Sequence, residues 1–166
     1  MIELLVLDVD GCMTDGKITY TNSGDELKSF DVKDGFAIVQ WRRLGKKVAI
    51  ITGRESKIVE YRAMELGIDY LEQKVKRKDK TLEKLCSEAG IALQNVAAIG
   101  DDLNDYRLLK SVGISFAPSD AYSYIKEHVD VILSRPGGQG AVREMIETLL
   151  KREGLFEEYL GFWTQM

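Results

Sequence analysis

Short apolar runs alternate with segments of helical spacing along almost the whole chain. Runs rich in Val, Ile and Leu predict buried strands, and they cover 3–9, 47–51, 69–71, 96–99, 113–117 and 129–133. Segments whose apolar residues recur with helical spacing cover 35–44, 56–66, 79–89, 105–110, 122–127 and 141–152. Because strands and helices alternate and the strands read as continuous apolar runs, the pattern predicts a parallel sheet covered by helices on both faces.

One region departs from this alternation soon after the first strand. Residues 17–20 and 26–30 alternate in part between polar and apolar side chains, and Asn22-Ser23-Gly24-Asp25 lies between them. Short alternating segments around such a turn are typical of a β-hairpin. We therefore expect a hairpin insertion over 15–31.

The C-terminal segment, 153–166, is rich in aromatic and large apolar residues. So much apolar surface at a terminus predicts that the segment docks on its own domain or packs on a neighbouring subunit. The chain has 166 residues, which suffices for one core but not for an additional substrate domain of ordinary size. No linker or repeat is present, so we expect a single α/β domain over 1–166, Rossmann-like and doubly wound.

Composition narrows the functional classes. Hydrophobic residues make up 45% of the chain and charged residues 30%, and the net charge is −4, so no global basic field favours nucleic acid. The chain begins without a basic, signal-like segment, and its two cysteines, Cys12 and Cys86, suit a reduced, cytoplasmic protein. The single histidine, His128, excludes a zinc site built on imidazoles; we expect it to be a surface residue.

Polar side chains follow four predicted strands at the point where each strand ends. They comprise an acid pair, a hydroxyl next to glycine and arginine, a lysine and an acid cluster. In chain order they are Asp8, Asp10, Thr52, Gly53, Arg54, Lys78, Asp101, Asp102 and Asp105. Since the carboxyl ends of parallel strands meet at one edge of a sheet, we expect these side chains to converge there.

Clustered carboxylates repel one another unless a cation lies among them. Asp8 and Asp101 are the best candidates to bind Mg²⁺, which prefers oxygen ligands and commonly bridges to a phosphate of the substrate. Lys78 supplies a positive charge, and the Thr52 hydroxyl can bind phosphoryl oxygens. Phosphoryl transfer depends mainly on positioning and charge neutralisation, so this set of groups predicts phosphoryl chemistry.

The spacing of Asp8 and Asp10 has a chemical rationale. One carboxylate can attack phosphorus while the other protonates the leaving oxygen and then activates water to hydrolyse the aspartyl phosphate. Gly11 permits the tight turn that follows. For Asp101 with Asp102, and for Thr52, the simpler interpretation is helix capping, which is compatible with a role in binding.

Four segments together resemble the motifs of the haloacid dehalogenase superfamily, in order and over nearly the whole chain. They are 8–16 (DVDGCMTDG), 51–54 (ITGR), Lys78 and 100–105 (GDDLND). The resemblance implies that Asp8 is the nucleophile and Asp10 the general acid/base, which also gives its main-chain carbonyl to Mg²⁺. It further implies that Thr52, Gly53 and Lys78 hold the phosphoryl group, that Asp101 completes the metal site, and that Asp102 and Asp105 support it.

Segments 15–35 and 135–144 resemble the capless branch, the family of 3-deoxy-D-manno-octulosonate (KDO) 8-phosphate phosphatases. The resemblance implies no cap domain, a phosphorylated sugar acid as substrate, and a homotetramer in which neighbouring subunits complete each site. Arg54 after Thr-Gly favours the eight-carbon substrate over a nine-carbon ulosonate 9-phosphate. Within the basic run, spacing favours Lys78, with Lys76 and Lys80 as alternatives.

Two other functions stay open, and so do the roles of the loop 137–140 and of Arg143. A receiver-like signalling module would hold its aspartyl phosphate, although Asp10 argues against it. A catalytically inactive scaffold would keep the fold and bind a partner without turnover. The loop 137–140 suits either a flexible connection or anion binding, and Arg143 suits either a substrate carboxylate or a pair with Glu144 or Glu147.

Overall fold

The computed structural model describes residues 1–165 and contains a six-stranded sheet and a separate two-stranded hairpin. The strands are β1 Leu4–Leu7, β2 Thr19–Tyr20, β3 Glu26–Leu27, β4 Lys47–Ile51, β5 Tyr70–Glu72, β6 Val96–Ile99, β7 Ile114–Ala117 and β8 Val131–Ile132. The helices are α1 Val32–Arg43, α2 Lys57–Leu66, α3 Lys78–Ala89, α4 Tyr106–Leu109, α5 Ser123–Lys126, α6 Ala141–Glu153 and α7 Phe156–Thr164.

The large sheet is parallel throughout, in the order β5-β4-β1-β6-β7-β8. Strand β1 lies in the middle and pairs with β4 on one side and β6 on the other, with Leu7 opposite Ile50 and Ile99. The chain winds outwards from β1 to β5, crosses back and winds outwards again from β6 to β8. This confirms the predicted doubly wound α/β sheet, whose ligands are expected near the centre, at the carboxyl ends of the strands.

Alternate residues of β1 enter two different cores. Leu5 and Leu7 pack in the core beneath α1, α2 and α6, while Leu4 and Val6 pack in the core beneath α3, α4 and α5. Successive strand residues point to opposite faces, so a strand covered on both sides needs an apolar residue at every position. This is the physical reason for the continuous apolar runs in the sequence.

The helix ends follow local capping chemistry. Helix α1 begins at Val32, earlier than the predicted start at 35, because the Asp31 carboxylate accepts hydrogen bonds from the N–H groups of Lys33 and Asp34. Helices α2 and α3 end at Gly67 and Gly90, which have φ angles of 65° and 68°. Glycine adopts this left-handed conformation at little cost, so both predicted stops are explained.

The C-terminal segment forms helix α7, which the sequence pattern did not predict. Tyr159 is buried against the core of α1 and α6, and Nε1 of Trp163 donates a hydrogen bond to Oε1 of Gln40 at 3.2 Å. The segment therefore docks on its own chain, although Trp163 stays 61% exposed. No helix within 1–165 is both long enough and apolar enough to cross a membrane.

Candidate active site

The polar residues predicted at the strand ends do converge. Asp8 follows β1, and its N–H donates a hydrogen bond to the carbonyl of Ile99 in β6 at 3.3 Å. Thr52 follows β4 and Asp101 lies just beyond β6, so both flank the end of the central strand. Asp8 and Thr52 are almost fully buried, at 6% and 2% exposure, so the centre of the site is shielded from solvent.

Lys78 reaches the site from the first turn of α3. Its Nζ lies 2.7 Å from Oδ1 of Asp8 and 2.6 Å from Oδ1 of Asp105. Burial by itself would lower the pKa of Lys78, yet attraction to the two carboxylates raises that pKa above its usual range. Of the three candidate lysines, Lys76 and Lys80 are exposed, so Lys78 is the one placed at the site.

Asp105 organises the loop after β6. Its Oδ2 accepts hydrogen bonds from the main-chain N–H groups of Asp101, at 3.0 Å, and of Asp102, at 3.3 Å. The Asp102 carboxylate in turn accepts from the N–H of Leu103, so Asp102 caps the short turn 103–105. A Cβ at Gly100 would lie 2.5 Å from Cβ of Asp105, so the close approach of Asp105 requires glycine there.

Asp8 and Asp101 bring their carboxylates together. An oxygen of each lies within 4.8 Å of the other and of the Cys12 sulfur. Gly11 turns tightly beneath them with a φ of 96°, and a Cβ there would lie 1.9 Å from Oδ2 of Asp101. Cys12 packs in the core, and burial raises the pKa of its thiol well above the usual range, so the neutral sulfur is a poor ligand for a hard cation.

The charge balance of this cluster favours an added cation. Burial first, and then repulsion from Asp105, raise the pKa of Asp8 above its usual range; burial and repulsion from Asp8 and Asp105 do the same for Asp101. Lys78 offsets only part of this repulsion. A buried carboxylate, Asp8, and a half-buried one, Asp101, with excess negative charge fit a divalent cation such as Mg²⁺.

The hairpin makes a contact with the site that the sequence did not predict. Nζ of Lys28 forms an ion pair with Oδ1 of Asp10 and lies 3.4 Å from Oε1 of Glu26. Arg54 joins the same network, because its Nη2 lies 3.0 Å from Oε1 of Glu26 and 3.3 Å from the Tyr20 hydroxyl. A lone lysine in a hairpin has no distinctive spacing, so only the fold reveals that Lys28 reaches Asp10.

Thr52 is not a helix cap, which was its simpler interpretation. Helix α2 is capped by Ser56, whose hydroxyl accepts from the N–H of Ile58 at 3.2 Å. Thr52 and Gly53 instead lie in the loop between β4 and α2, where the Thr52 carbonyl accepts from the N–H of Val75 at 3.1 Å. This hydrogen bond connects the loop after β4 to the segment that leads into α3.

The glycine loop 137–140 packs against the backbone of the loop 11–15, which follows Asp8 and Asp10. The N–H of Gly138 donates to the carbonyl of Cys12 at 3.0 Å, and a Cβ at Gly137 would lie 1.9 Å from the carbonyl oxygen of Gly11. The loop thus packs closely against the backbone of residues 11–15.

Two residues with open roles have defined contacts. Nε of Arg143 pairs with Oε1 of Glu147 at 2.7 Å, which is one of the two predicted alternatives. His128, just after α5, stacks on Tyr124 with ring centroids 4.2 Å apart. Neither contact places the residue in the carboxylate cluster.

Comparison with known proteins gives a consistent picture. Residues 67–146 match the model of the haloacid dehalogenase-like hydrolases. The chain is 42% identical to the 3-deoxy-D-manno-octulosonate 8-phosphate phosphatase of Escherichia coli K12 over 160 residues, which cover 96% of this chain and 85% of the relative.

Solved structures agree with the sequence match. One from Moraxella catarrhalis, a KDO 8-phosphate phosphatase in complex with magnesium, phosphate and KDO, has a TM-score of 0.95 and 37% identity, covering 98% of this chain and 94% of the other. A cobalt-bound structure of the Haemophilus influenzae phosphatase has a TM-score of 0.90 and 36% identity, covering 98% and 94% of the two chains.

Proposed function

Because the chain belongs to the haloacid dehalogenase-like hydrolases, in the family of 3-deoxy-D-manno-octulosonate 8-phosphate phosphatases, we propose that it hydrolyses that sugar phosphate to KDO and inorganic phosphate. The observation that carries this proposal is the buried pair of Asp8 and Lys78, with Asp101 close to Asp8. Carboxylate, ammonium and a second carboxylate provide the nucleophile, a phosphate-binding charge and a metal ligand.

The first half-reaction forms an aspartyl phosphate. An oxygen of Asp8 attacks phosphorus, a bond forms between them, and the bond from phosphorus to the sugar oxygen breaks. Asp10 gives its proton to that leaving oxygen, which departs as the alcohol. Lys78, with the Thr52 hydroxyl and the main chain at Gly53, holds the phosphoryl oxygens during the transfer.

The second half-reaction restores the enzyme. Asp10, now a carboxylate, accepts a proton from water while the water oxygen bonds to phosphorus and the bond to Asp8 breaks. Inorganic phosphate leaves, Asp8 is a carboxylate again, and Asp10 carries the proton for the next cycle. Asp102 and Asp105 support the loop that carries Asp101.

We assign the metal to the side chains of Asp8 and Asp101 and the main-chain carbonyl of Asp10. When bound, Mg²⁺ neutralises charge on the phosphoryl oxygens and relieves the repulsion between the two carboxylates. The raised pKa values of both carboxyl groups support this assignment, since they reflect burial first and then repulsion between carboxylates, and a bound cation would offset both.

We further propose a cytoplasmic homotetramer whose neighbouring subunits close each active site. An apolar groove lined by Val32, Phe36, Tyr159, Leu160 and Trp163 supports a contact between copies. The buried, unpaired state of both cysteines supports a reducing compartment. Light scattering tests the assembly; a fully active monomer would contradict it.

The decisive test measures phosphate release from KDO 8-phosphate, from a nine-carbon ulosonate 9-phosphate and from simple sugar phosphates. We expect the eight-carbon substrate to have the highest kcat/KM. Preference for the nine-carbon substrate would correct the substrate, and a stable aspartyl phosphate without release would favour a signalling module.

The variant Asp8→Asn tests the nucleophile. It should abolish release and keep the fold, because asparagine has nearly the same size and removes charge repulsion. Glu88→Gln, at an exposed position on α3, is the control. Substantial activity in Asp8→Asn would mean that another residue attacks phosphorus.

A further inference from the structure

The side chain of Lys28 connects the hairpin to the active-site acid Asp10. That side chain is fully shielded from solvent, whereas both residues of β2 and Leu27 of β3 are exposed. Nζ lies between two carboxylates, Asp10 at the active site and Glu26 on the hairpin. A lysine held between an active-site acid and its own hairpin connects these two parts of the molecule.

Packing alone does not account for this arrangement. Removing an ammonium from water carries a large free-energy cost, and the cost is recovered only when well-placed partners surround the charge. Lys28 contributes to neither apolar core. The carboxylates of Asp10 and Glu26 are therefore the reason why the side chain is buried.

Glu26 extends the connection to the loop after β4, the strand next to β1. Its Oε1 accepts a hydrogen bond from Arg54, in the loop after β4, at 3.0 Å. Burial raises the pKa of Glu26, but hydrogen bonds from Arg54 and Lys28 outweigh that effect and hold the pKa below its usual value. Glu26 thus stays charged, and the chain of contacts Asp10–Lys28–Glu26–Arg54 joins the hairpin to the loops that follow β1 and β4.

We propose that Lys28 is a positioning residue: it fixes the carboxyl group of Asp10 by holding Oδ1, so that Oδ2 faces the leaving oxygen and then the attacking water. This inference rests on the proposed phosphatase function, in which Asp10 transfers both protons. A carboxyl group free to rotate would spend less time in the reactive geometry, and small losses of alignment lower the rate strongly.

The dependence on the leaving group separates positioning from a structural role. A sugar alkoxide is a poor leaving group and needs the proton of Asp10, whereas p-nitrophenolate leaves readily without one. Loss of alignment at Asp10 should therefore slow the sugar phosphate far more than p-nitrophenyl phosphate in the first half-reaction. With the aryl substrate, hydrolysis of the aspartyl phosphate still needs Asp10 as base, so the covalent intermediate should accumulate.

The experiment compares Lys28→Met, Lys28→Arg and the control Lys17→Met with the wild-type enzyme. Lys17 lies in the same insertion, but its side chain is 84% exposed and its nearest acid, Asp15, is 3.9 Å away. For Lys28→Met we expect kcat on KDO 8-phosphate to fall by about 100-fold with little change in KM, and a burst of p-nitrophenolate on the aryl substrate. Lys28→Arg should recover much of the rate, and Lys17→Met should match the wild type.

Equal losses on both substrates, without a burst, would overturn the inference. If Lys28→Met does not fold, Glu26→Gln tests the same geometry from the outer partner, and a smaller loss of the sugar-phosphate rate with a burst on the aryl substrate is expected. Equal losses on both substrates without a burst would overturn the inference here too. If the wild-type enzyme releases no phosphate from the sugar phosphate, the proposed function fails. Normal wild-type turnover, with variants that show neither a selective loss nor a burst, refutes only the role of Lys28.

Discussion

Nζ of Lys78 lies 2.7 Å from Oδ1 of Asp8, although the two residues are 70 positions apart in the chain. Both side chains are almost fully buried, at 2% and 7% exposure. The same ammonium contacts Asp105, so one cation links the proposed nucleophile to the loop after β6. This link makes the stability of the site and its chemistry depend on a single lysine.

Replacing Lys78 by methionine should affect both properties. Because Asp8 and Asp105 would lose their common partner, the free energy of unfolding should fall by about 2 to 4 kcal/mol. Turnover should fall by about 100-fold or more, since the phosphoryl oxygens would lose a positive charge. Lys80→Met, on the same helix but exposed, is the matched control. Equal effects of the two variants, in urea unfolding and phosphate release, would show that Lys78 is not the functional lysine.

Metal removal should stop hydrolysis, and Mg²⁺ should restore it. Binding also has a readout that is independent of activity: because the cation would relieve the repulsion between Asp8 and Asp101, saturating Mg²⁺ should raise the Tm by several degrees. Asp101→Asn should lose most of that increase. A Tm in Asp101→Asn that responds to Mg²⁺ as in the wild type would place the metal elsewhere.

Gly137→Ala should distort the loop 11–15, against which Gly137 packs. The new Cβ would overlap the carbonyl oxygen of Gly11, at 1.9 Å, so the backbone of one loop must move. We expect a loss of at least about 2 kcal/mol in stability and about tenfold in kcat.

The control for that variant is Gly161→Ala. Its new Cβ would meet only the flexible end of Gln165, at 3.1 Å, and alanine favours the helix by up to about 1 kcal/mol. Thermal unfolding and phosphate release compare the two variants. An unaffected Gly137→Ala variant would show that the packing of the glycine loop is not required.

Asp34 should make the folded state less stable as the pH rises. A carboxyl group whose pKa is lowered on folding has the opposite effect. Its Oδ1 accepts from the N–H of Arg143 at 2.9 Å, while within residues 1–165 Oδ2 has no partner. Burial raises the pKa of Asp34 from 3.8 to about 6. The folded state therefore binds this proton more tightly than the unfolded chain does, and the resulting stabilisation is full below about pH 4 and is lost as the pH rises through about 6.

The variant Asp34→Asn isolates that effect. The free energy of unfolding of the wild type minus that of the variant should fall by about 2 to 3 kcal/mol between about pH 4 and pH 7. Urea unfolding of both proteins at several pH values measures the difference, in which other titrating groups cancel. A difference that does not change with pH would contradict the raised pKa.

Much of the fold could be predicted from local pattern. Apolar runs and helical spacing indicated the parallel sheet and both helical layers, because a strand that is buried on two faces has apolar residues at consecutive positions. The acids at positions 8, 10 and 101 could be placed at one sheet edge because parallel strands end on the same side. Helix α7 was missed, since an aromatic tail shows where apolar surface lies but not the conformation that buries it.

The sequence by itself determined which groups are present and the order in which strand ends carry them. Only the tertiary structure decided which lysine of the basic run reaches Asp8, that Lys28 pairs with Asp10, and that Gly137 supports the loop at Gly11. Each of these is a contact between segments distant in the chain. Such contacts depend on how the elements pack, and this packing cannot be predicted from the spacing of side chains within one segment.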